Sequence, residues 1–256
     1  MQFVPAGTAG VFFCVWETRV KDFEKFVEAT GYDATIGMAS LGKDGWKARG
    51  HTWKNPGFPQ GPTHPVVGVS WGDAMAFCKW LTEKERKEGL LLEGQEYRLP
   101  THAEWGRAAG NELYPWGNDR PVPSGAGNLS GSEARDKDWP AELLVFEGYR
   151  DGYARTAPVG SFGPNQYGLF DLTGNVWEWC LDWYRKEMNS AELTNSLSSL
   201  NDDGGGQKYR VLRGGSWNYC NPALLLSSCC YNGSPDVRNS GCGFRCVLAL
   251  SSSKQP

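Results

Sequence analysis

The chain has 256 residues, of which 40% are hydrophobic and 21% charged, and its formal net charge is −3. This length and composition can bury one substantial core, so we expect a single irregular domain over residues 1–256. The weak negative charge, without any run of Lys and Arg, argues against nucleic acid as a partner. No apolar run reaches the length of a membrane span, so we expect no membrane span in this chain.

The sequence leaves the compartment and the oligomeric state open. The first seven residues lack the charged and apolar regions of a signal peptide, which predicts a cytoplasmic protein unless a leader has been removed. With a removed leader, we expect secretion or display at the cell surface.

The first two helices are predicted in the N-terminal third. One covers residues 22–31, where apolar side chains recur at helical spacing and Gly31 can close the last turn. The other runs from about Ser70 to Glu88, because Ser70 is a favourable N-cap and Asp73 can reach back to it. Its apolar stripe consists of Ala74, Phe77, Cys78 and Leu81.

The middle of the chain is predicted to be mostly loop. A third helix begins at Thr101, because Glu104 completes a capping box, and it ends before a long irregular stretch at 111–170. That stretch needs bound metal ions or aromatic anchors to hold it, and the 33 Gly and 12 Trp of the chain agree with this. Residues 194–207 have the most flexible composition and precede a predicted strand, Tyr209–Leu212.

Residues 218–242 have an unusual composition. They contain no Lys, Glu, Gln, Met or Trp, although the whole chain contains 4 Met and 12 Trp. Every residue type present can be encoded by an AAC codon whose two adenines are replaced freely, which indicates a filter acting on DNA. The alternative is a surface loop rich in Cys, Ser and Asn whose composition is accidental. Constant-looking sequences frame the segment, RVLRGGSW (210–217) before it and GFRC (243–246) after it.

The eight cysteines fall into two groups. One group lies within the segment 218–242 and has no metal-type CxxC pairing: Cys220, Cys229, Cys230 and Cys242. The other lies among apolar neighbours, which predicts small buried side chains rather than disulfides: Cys14, Cys78, Cys180 and Cys246.

Several motifs, in order along the chain, resemble those of the formylglycine-generating enzyme (sulfatase-modifying factor) superfamily. They are HPVVGVSWGDAMAFCKWL (64–81), YRLPTHAEWGRAA (97–109), YPWGN (114–118), YGLFDLTGNVWEW (167–179), RVLRGGSW and GFRC. The resemblance covers residues 3–250 and implies an α+β, C-type-lectin-like fold of the formylglycine-generating-enzyme subtype, loop-rich with few helices and short antiparallel strands. Function needs a separate argument, because one fold supports many different sites.

The residues that carry catalysis in this family are not matched here. Its oxidases bind copper through two cysteines, three and eight residues after the serine of the GGS motif, and the matching positions in this chain are Tyr219 and Leu224. A cuprous ion needs a soft thiolate pair, so we expect no redox cofactor and no enzyme activity. A diverged oxidase of the formylglycine-generating type remains the alternative.

Histidine chemistry is not indicated either. A second enzymatic branch of the family, the sulfoxide synthases of ergothioneine biosynthesis, binds iron through histidines on an added helical domain. This chain has only His51, His64 and His102, without helical ligand spacing, so we expect structural or surface roles for them.

A third branch of the family, the variable proteins of diversity-generating retroelements, fits both the motifs and the residue filter. In those proteins, a template copied with errors at adenines replaces the gene end that encodes the ligand-binding face. The resemblance implies a non-catalytic protein that binds a varied protein or glycan ligand through the segment 218–242. The side chains of such a face should contribute little to folding, because exposed substitutions usually change stability by under about 0.5 kcal/mol.

The ligand-binding positions are expected to be exposed, thiols included, and to form a patch with adaptable polar groups beside tyrosines. They are Tyr219, Cys220, Asn221, Ala223, Leu224, Leu226, Cys229, Cys230, Tyr231, Asn232, Gly233, Ser234, Val237, Ser240, Gly241 and Cys242. We expect framework roles for Asn218, Leu225, Pro235, Asp236 and Arg238. The aromatic anchors expected beneath the segment are Trp177, Trp179, Trp183, Trp217 and Phe244.

The resemblance also implies two structural calcium sites. The first would use the side chains of Asn128 and Asp151 with the carbonyls of Leu129 and Tyr153. The second would use the side chains of Asp171 and Glu178 with the carbonyls of Gly174 and Val176. Calcium takes such mixtures of carboxylate and carbonyl oxygens, and a cation would hold the loop-rich middle of the chain.

Overall fold

The computed structural model describes residues 1–136, 138–189 and 207–250. Within them, short helices and strands are joined by long loops. The α-helices are α1 (Val20–Thr30), α2 (Trp71–Lys87) and α3 (His102–Ala109). The strands are β1 (Phe3–Pro5), β2 (Phe12–Cys14), β3 (Ala39–Gly42), β4 (Gly45–Ala48), β5 (Gln95–Arg98), β6 (Trp177–Trp183), β7 (Arg210–Arg213), β8 (Tyr231–Gly233), β9 (Cys242–Gly243) and β10 (Val247–Leu250).

These elements confirm the expected α+β, loop-rich fold with few helices. The stretch 194–207, for which we predicted flexibility, lies outside the described residues except for Gln207. No helix in the described part of the chain has the length and apolar character needed to cross a bilayer.

The helix ends follow the predicted capping chemistry. The Ser70 hydroxyl accepts a hydrogen bond from the Asp73 N–H at 3.1 Å, and the Asp73 carboxylate accepts one from the Ser70 N–H at 2.8 Å. Thr101 and Glu104 make the same reciprocal pair at the start of α3. Helix α1 ends at Gly31, whose φ of 66° lies in the left-handed region that favours glycine. These ends could be predicted because each depends on residues within one turn.

Two four-stranded sheets and one hairpin, β3–β4, make up the strand structure. The first sheet has the order β1-β2-β10-β5 and is antiparallel. The second has the order β8-β7-β6-β9, and its β6–β9 pair is parallel, which differs from the all-antiparallel expectation. The edge strand β8 lies wholly within the segment 218–242, and the edge strand β9 begins with its last residue, Cys242, whereas the two central strands lie outside it.

The largest core lies between α1, α2 and the second sheet, and its centre is aromatic. Phe77 packs edge-to-face against Phe26 and Phe244, with ring centroids 5.8 and 5.4 Å apart. Four of the five expected anchors, Trp177, Trp179, Trp217 and Phe244, are buried. The fifth, Trp183, is half-buried and stacks against a guanidinium, that of Arg210, 3.5 Å from its ring centroid.

The cysteines outside the segment are buried and free, as predicted. Burial raises the pKa of the Cys14 thiol to about 12, so this side chain behaves as a small apolar group. The sulfurs of Cys78 on α2 and Cys246 before β10 lie 3.4 Å apart, which joins a helix to the C-terminal strand through sulfur contact.

A fully buried ion pair lies at the centre of the fold. The Arg245 guanidinium donates to both carboxylate oxygens of Glu178, at 2.7 and 2.6 Å, and both side chains have 0% exposure. Arg245 also donates to the carbonyls of Cys14, Val15 and Phe170. The Trp105 indole N–H of α3 donates to the same carboxylate at 2.8 Å. One guanidinium therefore connects the second sheet, the N-terminal strands and the loop before β6.

A second buried arginine contacts the middle of the segment. Arg213, the last residue of β7, donates to the Ser227 carbonyl at 2.5 Å and contacts His102 Nδ1 at 2.9 Å. Its guanidinium lies 4.4 Å from the Trp105 ring centroid. Trp105 thus contacts both the Arg213 guanidinium and the Arg245–Glu178 pair.

We expect Arg245→Met to lower the free energy of unfolding by about 3–5 kcal/mol, because it leaves the Glu178 carboxylate buried without its partner. Urea denaturation in EDTA measures the change. The double variant Arg245→Met/Glu178→Leu should recover a large part of the loss, since it removes both charges. A loss below about 1 kcal/mol in the single variant would show that this pair is not the central anchor.

Candidate ligand-binding site

The segment 218–242 leaves the sheet, turns and returns to it. After β7 it forms a short 3-10 helix at Pro222–Leu225 and then pairs as β8, with Tyr231 opposite Leu212. It ends as β9, with Cys242 opposite Trp177 of β6. The backbone of the segment is therefore fixed at both ends by ladder hydrogen bonds to constant strands.

A cavity of about 410 Å³ is lined by residues of all four strands of the second sheet and of the β3–β4 hairpin. Its lining from the segment consists of Asn218, Tyr219, Tyr231, Asn232, Gly233, Ser234, Val237, Asn239, Gly241 and Cys242. Its lining from the rest of the chain consists of Ala39, Trp46, Trp177, Tyr209 and Leu212. Half of the predicted ligand-binding positions thus meet in one place.

Three aromatic rings form one wall of this cavity. Trp177 stacks with Tyr231 at a centroid distance of 5.2 Å and an interplanar angle of 23°. It meets Tyr219 edge-on at 5.2 Å and 87°. Burial, followed by the neighbouring Tyr231 and Cys242, raises the pKa of the Tyr219 phenol. Burial likewise raises the pKa of Cys242 to about 12, so both groups are neutral near pH 7.

Several of the predicted positions are buried rather than exposed, which corrects the expectation of an exposed patch. Leu224 is 5% exposed, because the 3-10 helix turns it into the main core. Cys229, Cys230 and Cys242 are 1%, 0% and 2% exposed, so the expectation of exposed thiols is wrong for these three. Burial raises the pKa of Cys229 to about 11 and that of Cys230 to about 12.

Backbone contacts explain the burial of this part. Asn189 receives the Cys230 N–H on its side-chain oxygen at 2.9 Å and donates to the Cys230 carbonyl at 2.8 Å. Ser240 is also buried, and its carbonyl accepts the Trp217 indole N–H at 2.8 Å. These contacts hold 230 and 240 inside the domain.

Two candidate glycines have no room for a side chain. A Cβ on Gly233 would lie 2.9 Å from the Trp179 ring, and one on Gly241 would lie 2.8 Å from the Ser216 hydroxyl. Asn232 is buried as well. The accessible part of the predicted set is therefore smaller than expected. It consists of the exposed Asn221 and Ser234 and the half-buried Tyr219, Cys220, Ala223, Leu226, Tyr231 and Val237.

Two positions predicted as framework have contacts that suit that role. Leu225 is 2% exposed. Arg238 forms a two-pronged ion pair with Asp73 of α2, both contacts at 2.8 Å. Asn218, also predicted as framework, lines the cavity instead.

The cavity includes two residues that the sequence did not indicate, Ala39 and Trp46 of the β3–β4 hairpin. Ala39 donates to the Arg238 carbonyl and accepts from the Ser240 N–H, both at 3.0 Å. The hairpin is thereby docked against the segment. Gly45 at its turn is a usable signal for the hairpin itself, but nothing local to residues 39–48 indicates which surface the hairpin contacts.

The two positions that match the oxidase cysteines hold a phenol and an apolar side chain. Tyr219 lies in the cavity wall, and Leu224 lies in the core. The neighbouring Cys220 is half-buried, and burial raises its pKa, which disfavours a thiolate. The arrangement at these positions offers aromatic and apolar contact rather than soft metal ligation.

The first candidate calcium site contains an unsatisfied oxygen. The Asp151 carboxylate accepts the N–H groups of Leu129 and Tyr153, each at 2.8 Å, and burial raises its pKa to about 6. Beside it, the side-chain oxygen of Asn128 is buried and has no hydrogen-bond partner. A hard cation would satisfy this oxygen and neutralise the carboxylate, so these residues fit calcium.

The second candidate site is more crowded with acid than predicted. One Asp171 oxygen accepts the Gly160 N–H at 2.7 Å, and the other is buried without a partner. Glu178, predicted as a ligand, is instead paired with Arg245. Glu17, which the sequence analysis missed, is fully buried and accepts the Val176 N–H at 3.1 Å.

Burial, followed by Asp171 and Glu178, raises the pKa of Glu17. Three buried carboxylates thus share one guanidinium, a charge excess that a cation at Asp171 would offset. In the described part of the chain, no three His, Cys, Asp or Glu side chains converge as a metal cluster, so backbone carbonyls would have to complete both sites. The carbonyls of Gly174 and Val176 remain the candidates for the second site.

The three histidines lie in separate hydrogen-bonded pairs. His51 contacts Ser40 at 2.7 Å, His64 contacts Thr156 at 3.0 Å, and His102 contacts Arg213. Each side chain supports a local contact, in agreement with the structural roles expected for them.

The loop-rich fold defines a C-type-lectin-like domain, and a cavity lies on its second sheet near the C terminus. Residues 13–250 match the sulfatase-modifying factor enzyme 1-like domain, and the chain belongs to this family.

Its relatives carry several names. A formylglycine-generating enzyme of Thermomonospora curvata is 37% identical over 77% of this chain and 61% of its own length. The inactive C-alpha-formylglycine-generating enzyme 2 of Mus musculus is 31% identical over 79% of this chain and 56% of its own length. The chain therefore spans less than two thirds of these relatives.

Among solved structures, Treponema denticola variable protein 1 superposes with a TM-score of 0.60 at 20% identity. The match covers 97% of this chain and 91% of that one. At this identity, the likeness supports the fold.

We expect burial, rather than membership in the segment, to decide which substitutions the fold tolerates. Cys229→Asp places a charge in the core and should lower the free energy of unfolding by about 3 kcal/mol or more. Its matched control, Ser228→Asp, changes an exposed neighbour and should stay within about 0.5 kcal/mol. Chemical denaturation compares the two, and equal effects would contradict the burial described here.

We also expect calcium to stabilise the protein. At a concentration 100 times its Kd, one bound ion would add about 2.7 kcal/mol, seen as a higher Tm in CaCl2 than in EDTA. Asn128→Leu removes the unsatisfied oxygen of the first site and should reduce the increase. Asp171→Asn keeps an oxygen at the second site and should retain more of it than Asp171→Leu. An identical Tm in calcium, magnesium and EDTA would count against both sites.

Proposed function

We propose that this chain is a non-catalytic ligand-binding protein whose segment 218–242 is diversified by a retroelement through adenine-directed mutagenesis. The ligand is a protein or a glycan, and calcium has a structural role. The observation that carries the proposal is the cavity: half of the candidate positions line one pocket, on a sheet whose edge strands include residues 231–233 and 242 of the filtered segment and whose two central strands lie outside it.

The fold is suited to variation at this place. Strands β8 and β9 are held by backbone hydrogen bonds, which most side chains can accompany. The polar groups beside the segment, Arg213, Trp105 and Arg245, lie outside it, whereas its own buried members, such as Leu224 and Cys229, belong to the core. Exposed positions such as Asn221 and Ser234 can therefore change at little cost in stability.

The composition of the segment supports the same proposal. Tyr, Asn, Ser and Gly combine rigid aromatic area with adaptable hydrogen bonding, as in binding surfaces that must accept many ligands. The similarity in fold to Treponema denticola variable protein 1 agrees with this proposal, because a protein named as variable has the same fold.

The second candidate function is a diverged oxidase, favoured by the names of the curated relatives. Against it stand Tyr219 and Leu224 at the positions of the thiol pair. The cysteines nearest in sequence offer no substitute, since burial raises the pKa of Cys220, Cys229 and Cys230. A thiolate is the form that binds copper and reacts.

The DNA around the gene tests the proposal. We expect a near-duplicate of the last coding stretch downstream, differing from it at adenines, together with a reverse transcriptase gene. Absence of such a repeat would contradict the claim that a retroelement diversifies the segment 218–242.

A separate assay tests the oxidase alternative. The protein, loaded with copper(I), is incubated with a Cys-containing peptide in air, and the mass of the peptide is measured by mass spectrometry. We expect no mass change, with the Thermomonospora curvata relative assayed in parallel. Copper-dependent oxidation of the peptide would favour the oxidase over the binding protein.

A further inference from the structure

We infer that the cavity receives an uncharged, apolar side chain of a protein ligand, and that Trp46, outside the diversified segment, is a fixed wall of that site. This inference rests on the proposed function and extends it to the class of ligand group. Trp46 would then be a contact shared by all variants of the protein.

The position of Trp46 supports a binding role. It lies on β4 at the rim of the cavity and is 41% exposed, which is unusual for so large an apolar side chain. Its cross-strand partner Leu41 is buried in a cluster with Trp217. The other end of the hairpin is bonded to the segment through Ala39. The hairpin that carries Trp46 is therefore held in place by the packing of Leu41 and the backbone hydrogen bonds of Ala39.

Trp46 supplies a residue type that the filtered segment cannot contain. Codons derived from AAC by change at the adenines do not encode tryptophan, so the segment cannot supply it. Tryptophan is among the residues most enriched at binding hot spots. In this fold the constant part of the chain supplies it twice at the cavity, as the rim residue Trp46 and the buried wall residue Trp177.

The charge of the cavity selects against ionised groups. None of its lining residues is Asp, Glu, Lys, Arg or His, and Tyr219 and Cys242 are held neutral by burial. A carboxylate or ammonium group entering it would lose water without gaining a counter-charge, which is strongly unfavourable. An uncharged group has no such cost.

The hydrogen-bonding groups favour an apolar side chain over a sugar. The Asn218 side-chain oxygen already accepts from the Ser216 hydroxyl at 2.5 Å, and that of Asn239 accepts from the Gly241 N–H at 2.9 Å. A sugar ring would need acceptors for several hydroxyl groups. Aromatic faces, by contrast, are available from Trp46 and Tyr231, and rings contribute through offset or edge-to-face packing.

The test uses the full chain labelled with 5-fluorotryptophan and observed by fluorine NMR. The probes are N-acetyl-phenylalaninamide, N-acetyl-lysinamide and methyl glucoside. We expect the phenylalanine derivative to shift the Trp46 and Trp177 signals in a saturable manner, and the other two to bind at least about tenfold more weakly. The Trp46 signal is assigned from its loss in Trp46→Ala, and the Trp177 signal from its loss in Trp177→Phe.

Trp46→Ala should weaken binding of the phenylalanine derivative at least about fivefold, read from the Trp177 signal. The control is Leu92→Ala, which removes a more exposed apolar side chain, 73% against 41% for Trp46, on the loop before β5 and should leave affinity within about twofold. An unchanged Tm in both variants shows that the fold is intact.

Three results would overturn the inference: equal binding of the lysine derivative, binding of methyl glucoside in preference to the phenylalanine derivative, or no effect of Trp46→Ala. Its failure is distinguishable from that of the proposed function. If the gene has the template repeat but the cavity does not bind the phenylalanine derivative, only this inference is contradicted. A missing repeat would remove the diversification, whatever the probes show.

Discussion

The buried pair of Arg245 and Glu178 is the constraint on which the rest of the structure depends. A guanidinium and a carboxylate without any exposure are tolerated only when every donor is used, and Arg245 donates to Glu178 and to three carbonyls. Through Trp105, the pair also contacts Arg213, which precedes the segment 218–242. Arg213, before the segment, and Arg245, after it, are thus connected to each other through Trp105 and Glu178.

Most of the fold could be predicted because its signals are local or carried by long motifs. The caps at Ser70, Thr101 and Gly31 needed only a few neighbouring residues. The direction of side chains within the segment could not be predicted. Composition led to the proposal that the segment is diversified, but the 3-10 turn that buries Leu224 and the Asn189 contacts that bury Cys230 are set by tertiary packing.

The same limit explains what the sequence did not reveal about the site. Trp46 lies far from the segment in the chain, and only the docking of the β3–β4 hairpin brings it to the cavity. Glu17 became relevant only once it was seen beside Asp171 and Glu178. Glu178 was predicted as a metal ligand from the resemblance, and the structure adds its pairing with Arg245, which the sequence did not indicate.

The proposed diversification makes the burial of Leu224, Cys229 and Cys230 consequential for the population of proteins produced. Template copying would insert residues without regard to burial, so some copies would carry Asp or Arg at positions that are closed to water. Such chains would be lost to misfolding or proteolysis before meeting any ligand. The folded variants are therefore a subset of the encoded ones, limited by stability. Across related copies of the gene, buried positions should show fewer and more apolar residue types than positions at the cavity rim.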